Sequence, residues 1–239
     1  MADSAIPKLF GITGAQDLSQ REYDSFFRLA SDQRKEQSER YVKREDACRS
    51  VVAEALIRYA LMSVSGVVFD TLPIRRTQYG KPFIPRQSCH FNVAHSGKWV
   101  ICGVDRCEIG VDIEKHRDVD FGIADHFFAE AEIDLLRGLP DQEKRLRAFY
   151  TIWSLKECYL KGISKGLSCP LDSFAFLPSS DNISVELQLY LKSLPARHFT
   201  ILNMGAGYST AVCTCSPVES VSKVILTPGQ LIEFLELDI

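Results

Sequence analysis

The chain has 239 residues, 46% of them hydrophobic and 25% charged, with a formal net charge of −3. That length can bury one large core or two small ones, and the composition excludes a largely disordered chain, a collagen and a simple coiled coil. So small a net charge gives no overall field toward nucleic acid or an anionic membrane, and no apolar run approaches the ~20 residues of a membrane span.

The chain starts Met1-Ala2-Asp3-Ser4-Ala5-Ile6-Pro7, without the basic segment and apolar stretch of an export signal. Residues 9–13 form a short apolar strand. Ser19 then reads as the N-cap of a helix carrying Tyr23, Phe26, Phe27 and Leu29. Residues 32–63 are helical in pattern. Their first part is charged (Gln33-Arg34-Lys35-Glu36), and their second sets Val51, Ala55, Ile57 and Leu61 at helical spacing. Residues 67–71 and Pro73 end this helix.

Tyr79-Gly80-Lys81-Pro82 is a turn. Three β-type runs follow at 90–95, 99–104 and 109–114, joined by Ser96-Gly97-Lys98 and by residues 105–108, which predicts an antiparallel meander. Helical pattern resumes at 121–138 and 141–165. The end is strand-rich, at 200–203, 209–215 and 223–226, and Thr227-Pro228 opens a final short helix. Helices and antiparallel strands thus come in two successive batches, an α+β layout of two similar halves meeting near residue 105.

Eight cysteines are present, but no two stand in a C-x-x-C pair, and most lie in apolar runs. They read as buried reduced thiols in a cytoplasmic protein, not as a metal or disulfide framework.

The stretch Ile109-Gly110-Val111-Asp112-Ile113-Glu114 alternates on a strand, with Val111 and Ile113 toward the core and both carboxylates on the other face. Two readings stand: a solvated face answered by Lys115 or Arg117, or a pair of mutually repelling acids that holds a cation. A second stretch is Trp153-Ser154-Leu155-Lys156-Glu157-Cys158-Tyr159-Leu160-Lys161, where Glu157 and Lys161 are i,i+4 neighbours on an otherwise apolar helix. Alone this is a common surface ion pair, although an idle acid is expensive to bury there. Taken together, three carboxylates and nearby lysines, without histidine or cysteine ligands, suit magnesium and phosphate chemistry.

These two stretches, about 40 residues apart, resemble the paired signature of the 4'-phosphopantetheinyl transferases. Lys43-Arg44-Glu45-Asp46-Ala47, Tyr79-Gly80-Lys81-Pro82 and Phe91-Asn92-Val93-Ala94-His95-Ser96-Gly97 are similar to the larger, surfactin-synthetase-activating (Sfp-type) branch. The resemblance covers nearly the whole chain. It implies a monomer of two pseudo-duplicated α+β halves with the active site in the cleft between them. Residues 1–105 would supply the coenzyme A contacts, and residues 106–239 the magnesium and catalytic motifs. The implied reaction moves the 4'-phosphopantetheine group of coenzyme A onto a serine of an apo acyl or peptidyl carrier protein, releasing 3',5'-ADP.

Carried over motif by motif, Asp112, Glu114 and Glu157 would ligate magnesium with the coenzyme A pyrophosphate. Glu157 would activate the carrier serine, directly or through water, and Lys161 would stabilise or protonate the leaving phosphate. Lys156, Lys161, Lys81, Ala94, His95, Arg34, Arg49 and Ser50 are the implied coenzyme A contacts. Bland alternatives remain open for three of them: a structural histidine for His95, a turn cation for Lys81, a helix-surface charge for Arg49. Three departures from the pattern stand out: Ala94 where relatives often carry serine, Gln37 where a lysine can reach coenzyme A, and Ser164 in place of a glycine. The resemblance also puts carrier contacts at residues 119–128, with Phe121 and Ile123 as an exposed apolar strip beside the core-adjoining Phe127 and Phe128. The rival readings are an inactive carrier-binding module and another magnesium-dependent phosphoryl transferase. No Walker-type loop or kinase-like catalytic loop supports the latter.

Overall fold

The computed structural model describes residues 7–66, 74–85, 89–179 and 185–237. Strand β1 (Lys8–Thr13) leads to helix α1 (Gln20–Leu29), where Ser19 and Glu22 close a capping box. The single helix expected over 32–63 is two: α2 (Asp32–Glu39) and α3 (Arg44–Ser65), parted at residues 40–43. α2 is polar all round and buries only Ser38, so it has no apolar stripe that would hold it in line with α3. α3 buries most of its length and stops at Gly66, whose φ of 68° places it in the left-handed region. The terminator expected at 67–71 and Pro73 lies outside the described residues.

Two short strands, β2 (Arg75–Arg76) and β3 (Pro82–Phe83), flank the predicted turn. The hairpin of β4 (His90–Ser96) and β5 (Trp99–Asp105) forms as the sequence predicts. β6 (Gly110–Lys115) corrects the meander. It leaves β5 and pairs antiparallel with β10 (Tyr208–Thr214) in another sheet, beside β9 (His198–Ile201). The helical pattern over 121–138 is broken by extended backbone at Phe128 and Ala129. This leaves a 3-10 turn at Phe121–Ile123, one turn of helix α4 (Ala124–Phe127) and α5 (Glu130–Gly138). α6 (Gln142–Gly162) is capped by Asp141. The hairpin of β7 (Phe174–Pro178) and β8 (Val185–Leu189) follows, which the sequence reading lacked.

The last strand, β11 (Ser222–Leu226), returns to the first sheet and pairs parallel with β1, and α7 (Pro228–Leu237) packs on α3 and α1. The first sheet runs β11-β1-β5-β4 and the second β6-β10-β9. Each is backed by one long helix, α3 or α6. The sheets share an apolar layer: Leu9, Ala94 and Ile101 from the first meet Val111, Ile113 and Val212 from the second. Two α+β halves therefore lie sheet to sheet, the first completed by β11 and α7 from the end of the chain. The eight cysteines are free thiols, and six are buried.

Candidate active site

Strand β6 alternates as predicted: Val111 and Ile113 enter the core between the sheets, while Asp112 and Glu114 turn the other way. α6 lies directly against this strand. A Cβ at Gly110 would overlap the Cys158 carbonyl and the Gly162 amide, so the approach requires glycine. That closeness lets Lys161 Nζ donate to Asp112 Oδ1 at 2.6 Å. One turn earlier, Glu157 sits on the same helix face.

A cleft of about 430 Å³ opens at this point between the two halves. Asp112, Glu114, Glu157, Lys161 and Trp153 line it from the second half. Arg34, Ser50, Ala94 and His95 line it from the first, with Ile57 and Val93 as its apolar floor. A larger hollow of about 1030 Å³ between α1 and α7 shares no residue with it and is walled by interspersed acids and bases.

The electrostatics of the acidic wall are unbalanced. Burial pushes the Asp112 carboxyl up and Lys161 pulls it back. Burial works against the Lys161 ammonium, but Asp112, then Glu157 and Glu114, outweigh it and raise its pKa. A 2.6 Å contact between opposite charges favours the ionised pair, so Lys161 is a cation at neutral pH. Burial, with Asp112 next, lifts Glu114 to about 7. Burial also raises Glu157, Lys161 opposing and Asp112 adding to it. Among the described residues, Asp112 Oδ2 is buried without a hydrogen-bond partner. An orphaned acid oxygen among mutually repelling carboxylates is the environment a hard cation relieves. Among the described residues, no three acid, imidazole or thiol groups stand close enough to cage a metal by themselves.

The basic wall is already tied down. Buried Glu54 accepts from the Ser31 amide and hydroxyl and from Arg34 Nε, and Arg34 Nη1 donates to Ser50 Oγ and to Gln37 Oε1. Gln37 thus holds Arg34 within reach of the cleft. His95 is exposed at the cleft wall. Crowding by that wall, then the cations Arg49 and Lys161, hold its pKa below the usual histidine value.

Three expected contacts lie elsewhere. Lys156 is a correction: its side chain is 1% exposed and pairs with Glu132 at 2.8 Å. It also donates to the carbonyls of Leu171 and Phe174. One residue along a helix is a rotation of ~100°, so a face that shows Glu157 to the cleft turns Lys156 into the core. Arg49 donates to Gly97 O and Asp46 Oδ1, bracing the β4–β5 turn rather than lining the cleft. Lys81 directs its ammonium to Ile109 O at 3.2 Å, just before β6. Ser164 has φ 57°, so it adopts the left-handed backbone that glycine takes without strain.

The structure adds residues that the motifs did not single out. Tyr41 and Arg76 line the cleft, and Glu54 orients Arg34. Only the charged run before Tyr41 hinted at the first. Nothing local marks Glu54, which is an ordinary helical acid until α2 folds back upon it.

Comparison with known proteins matches the sequence of this chain to a family. Residues 108–213 match the model of the 4'-phosphopantetheinyl transferase superfamily, and residues 17–106 match that of the 4'-phosphopantetheinyl transferase N-terminal domain. The chain is 36% identical to 4'-phosphopantetheinyl transferase Sfp of Bacillus subtilis (strain 168), over 88% of this chain and 93% of that one. It is 38% identical to 4'-phosphopantetheinyl transferase gsp of Aneurinibacillus migulanus, over 83% and 81%. Among solved structures it has a partial likeness to holo-[acyl-carrier-protein] synthase of Thermotoga maritima, with a TM-score of 0.37 and 20% identity over 44% of this chain and 61% of that one.

Proposed function

The chain belongs to the 4'-phosphopantetheinyl transferase superfamily, and on that premise we propose that its cleft transfers 4'-phosphopantetheine from coenzyme A to a serine of an apo carrier protein. The observation that carries this reading is the meeting of Asp112, Glu114, Glu157 and Lys161 in one cleft, with Asp112 Oδ2 left unpartnered.

The donors fit magnesium, which takes oxygen ligands and completes its shell with water and phosphate instead of needing a full protein cage. Asp112, Glu114 and Glu157 would hold it, and it would supply neutralisation of the pyrophosphate charge. The remaining work falls to the chain. Arg34, Ser50 and His95 bind and orient coenzyme A from the opposite wall. Glu157, its carboxyl raised by burial, is the base that takes the proton of the carrier serine hydroxyl, directly or through water. The serine oxygen bonds to the phosphorus bearing pantetheine, and the bond from that phosphorus to the departing 3',5'-ADP breaks. Lys161 is held cationic by Asp112, so its part is to stabilise charge on the leaving phosphate rather than to give up a proton.

The carrier docks beside the cleft, on the segment after β6. Ile123 and Phe127 are exposed there, whereas Phe121 packs on Phe149 and Phe128 is buried. An amphipathic helix beside the modified serine would complement such a strip. Both walls of the cleft come from one chain, so the working form is a monomer, which a sizing column with light scattering checks. No helix among the described residues is long and apolar enough to cross a membrane, and the reading places the enzyme in the cytoplasm.

The direct test is mass spectrometry of an apo carrier protein incubated with this protein, coenzyme A and magnesium. The reading expects a carrier heavier by one phosphopantetheine. An unmodified carrier that nevertheless binds the protein would favour the inactive binding module.

A further inference from the structure

The β4–β5 turn, Ser96-Gly97-Lys98, is fastened from several elements at once. Arg49 Nη1 of α3 donates to Gly97 O at 3.0 Å, and the Ala15 amide donates to Lys98 O at 3.1 Å. The Lys98 amide donates to the Tyr208 hydroxyl of β10 at 3.2 Å. Gly97 has φ 54°, and a Cβ there would overlap the same Tyr208 hydroxyl. A turn held in this way is a fixed platform, and Ser96 stands at its edge facing β6.

Among the described residues the Ser96 hydroxyl has two partners, both in the second half. The Lys115 amide donates to Ser96 Oγ at 3.0 Å, and Ser96 Oγ donates to Glu114 Oε2 at 3.1 Å. A hydroxyl has one proton, and an amide can only donate. The Lys115 contact uses a lone pair of Ser96 Oγ and leaves its proton free, and toward the ionised Glu114 carboxylate, which can only accept, Ser96 is the donor. Glu114 Oε1 has no hydrogen bond among the described residues, and Glu114 lines the cleft.

We infer that Ser96 is a positioning residue for Glu114: it clamps one carboxylate oxygen to the first half of the molecule and leaves the other for the cleft. The inference rests on the reading of Glu114 as a metal ligand. Orientation of a ligating carboxylate by a hydrogen bond from behind is a general way in which proteins tune metal affinity. Here the hydroxyl comes from the half that carries His95 on the neighbouring residue. The same strand end that would contact coenzyme A would thus also set the metal ligand.

The test uses Mn²⁺ as a spectroscopic stand-in for magnesium, titrated into the full-length protein with coenzyme A present. Ser96→Ala should weaken Mn²⁺ binding about 10-fold, leave metal-free coenzyme A binding unchanged, and be rescued by Ser96→Thr, which keeps the hydroxyl. In a Glu114→Ala background, Ser96→Ala should have no further effect on Mn²⁺. Should Ser96→Ala fold poorly by its thermal midpoint, Ser96→Cys keeps the volume with a weak donor and should show the same loss. If Glu114→Ala weakens Mn²⁺ binding and neither Ser96 variant does, Ser96 has no positioning role and the metal reading stands. A further loss from Ser96→Ala in the Glu114→Ala background would also overturn the inference. If Glu114→Ala itself leaves Mn²⁺ binding intact, the reading of Glu114 as a ligand fails, and the inference with it.

Discussion

Helix α6 meets a buried carboxylate at two places, and the two regions are finished differently. In the core, Lys156 spends its three protons on Glu132 and on the Leu171 and Phe174 carbonyls. Both Glu132 oxygens are taken as well, by Lys156, the Ala129 amide and the Phe176 amide. At the cleft, among the described residues, Lys161 makes one hydrogen bond, to Asp112 Oδ1, and Asp112 Oδ2 makes none. A closed ion pair ties α5, α6 and β7 together, whereas an open one keeps donor and acceptor capacity for something that binds. Leftover capacity, more than charge or burial, separates the cleft pair from the core pair.

Breaking the closed pair should give the largest effect on folding. Lys156→Ala strands Glu132 in the core and should lower stability by about 3–5 kcal/mol in urea unfolding, while molecules that remain folded keep their KM for coenzyme A. A variant of normal stability with weakened coenzyme A binding would return Lys156 to the phosphate site and dissolve the comparison.

The open pair should respond in the opposite sense. Asp112→Asn keeps the shape but removes the charge, so kcat should fall roughly 10²–10³-fold with little loss of stability. Near-normal turnover at saturating magnesium would remove Asp112 from the site.

The docking strip should give a smaller and more selective change. Ile123→Ala should raise KM for the carrier roughly 5- to 30-fold, equivalent to about 1–2 kcal/mol, with KM for coenzyme A nearly unchanged. Phe121→Ala should also lower the melting temperature, because that ring packs on Phe149. Equal effects of Ile123→Ala on both substrates would move the carrier elsewhere.

The mildest effect is graded in pH. Glu114 has an ordinary value of 4.5 and a folded value of about 7. The folded protein therefore holds this proton more tightly than the unfolded chain. Its contribution to stability is full below about pH 4.5 and is lost as pH rises through about 7. Unfolding of metal-free protein followed across this window should show the decline, and Glu114→Gln should flatten part of it. A profile unchanged by Glu114→Gln would mean that the acidic wall is less crowded than the geometry implies.

Much of the site was legible because its two motifs are periodic. Alternation along 110–115 put Asp112 and Glu114 on one face, and i,i+4 spacing put Glu157 and Lys161 on another. The N-cap at Ser19, the turn at Gly80 and most strands were equally local, as was the α+β order of elements. The burial of Lys156 is not legible because its neighbours in the chain, Glu157 and Lys161, face the cleft, while its partner Glu132 is 24 positions away on α5. The break at 40–43 is not legible because residues on both sides of it are helix formers, and only packing shows that the polar α2 has no apolar stripe to hold it in line with α3.

The sequence by itself determined the residue types, their periodicity and the family motifs, since these depend only on near neighbours along the chain. Tertiary structure decided everything set by contact between distant segments. It moved β6 from its hairpin neighbours to β10 and sent β11 back to β1. It buried Lys156 and opened Lys161, and it brought Ser96 to Glu114. The physical reason is that the pairing partner of a strand and the depth of a charge depend on which surfaces meet. A polar atom reads as structural or as available only when all of its possible partners are in place.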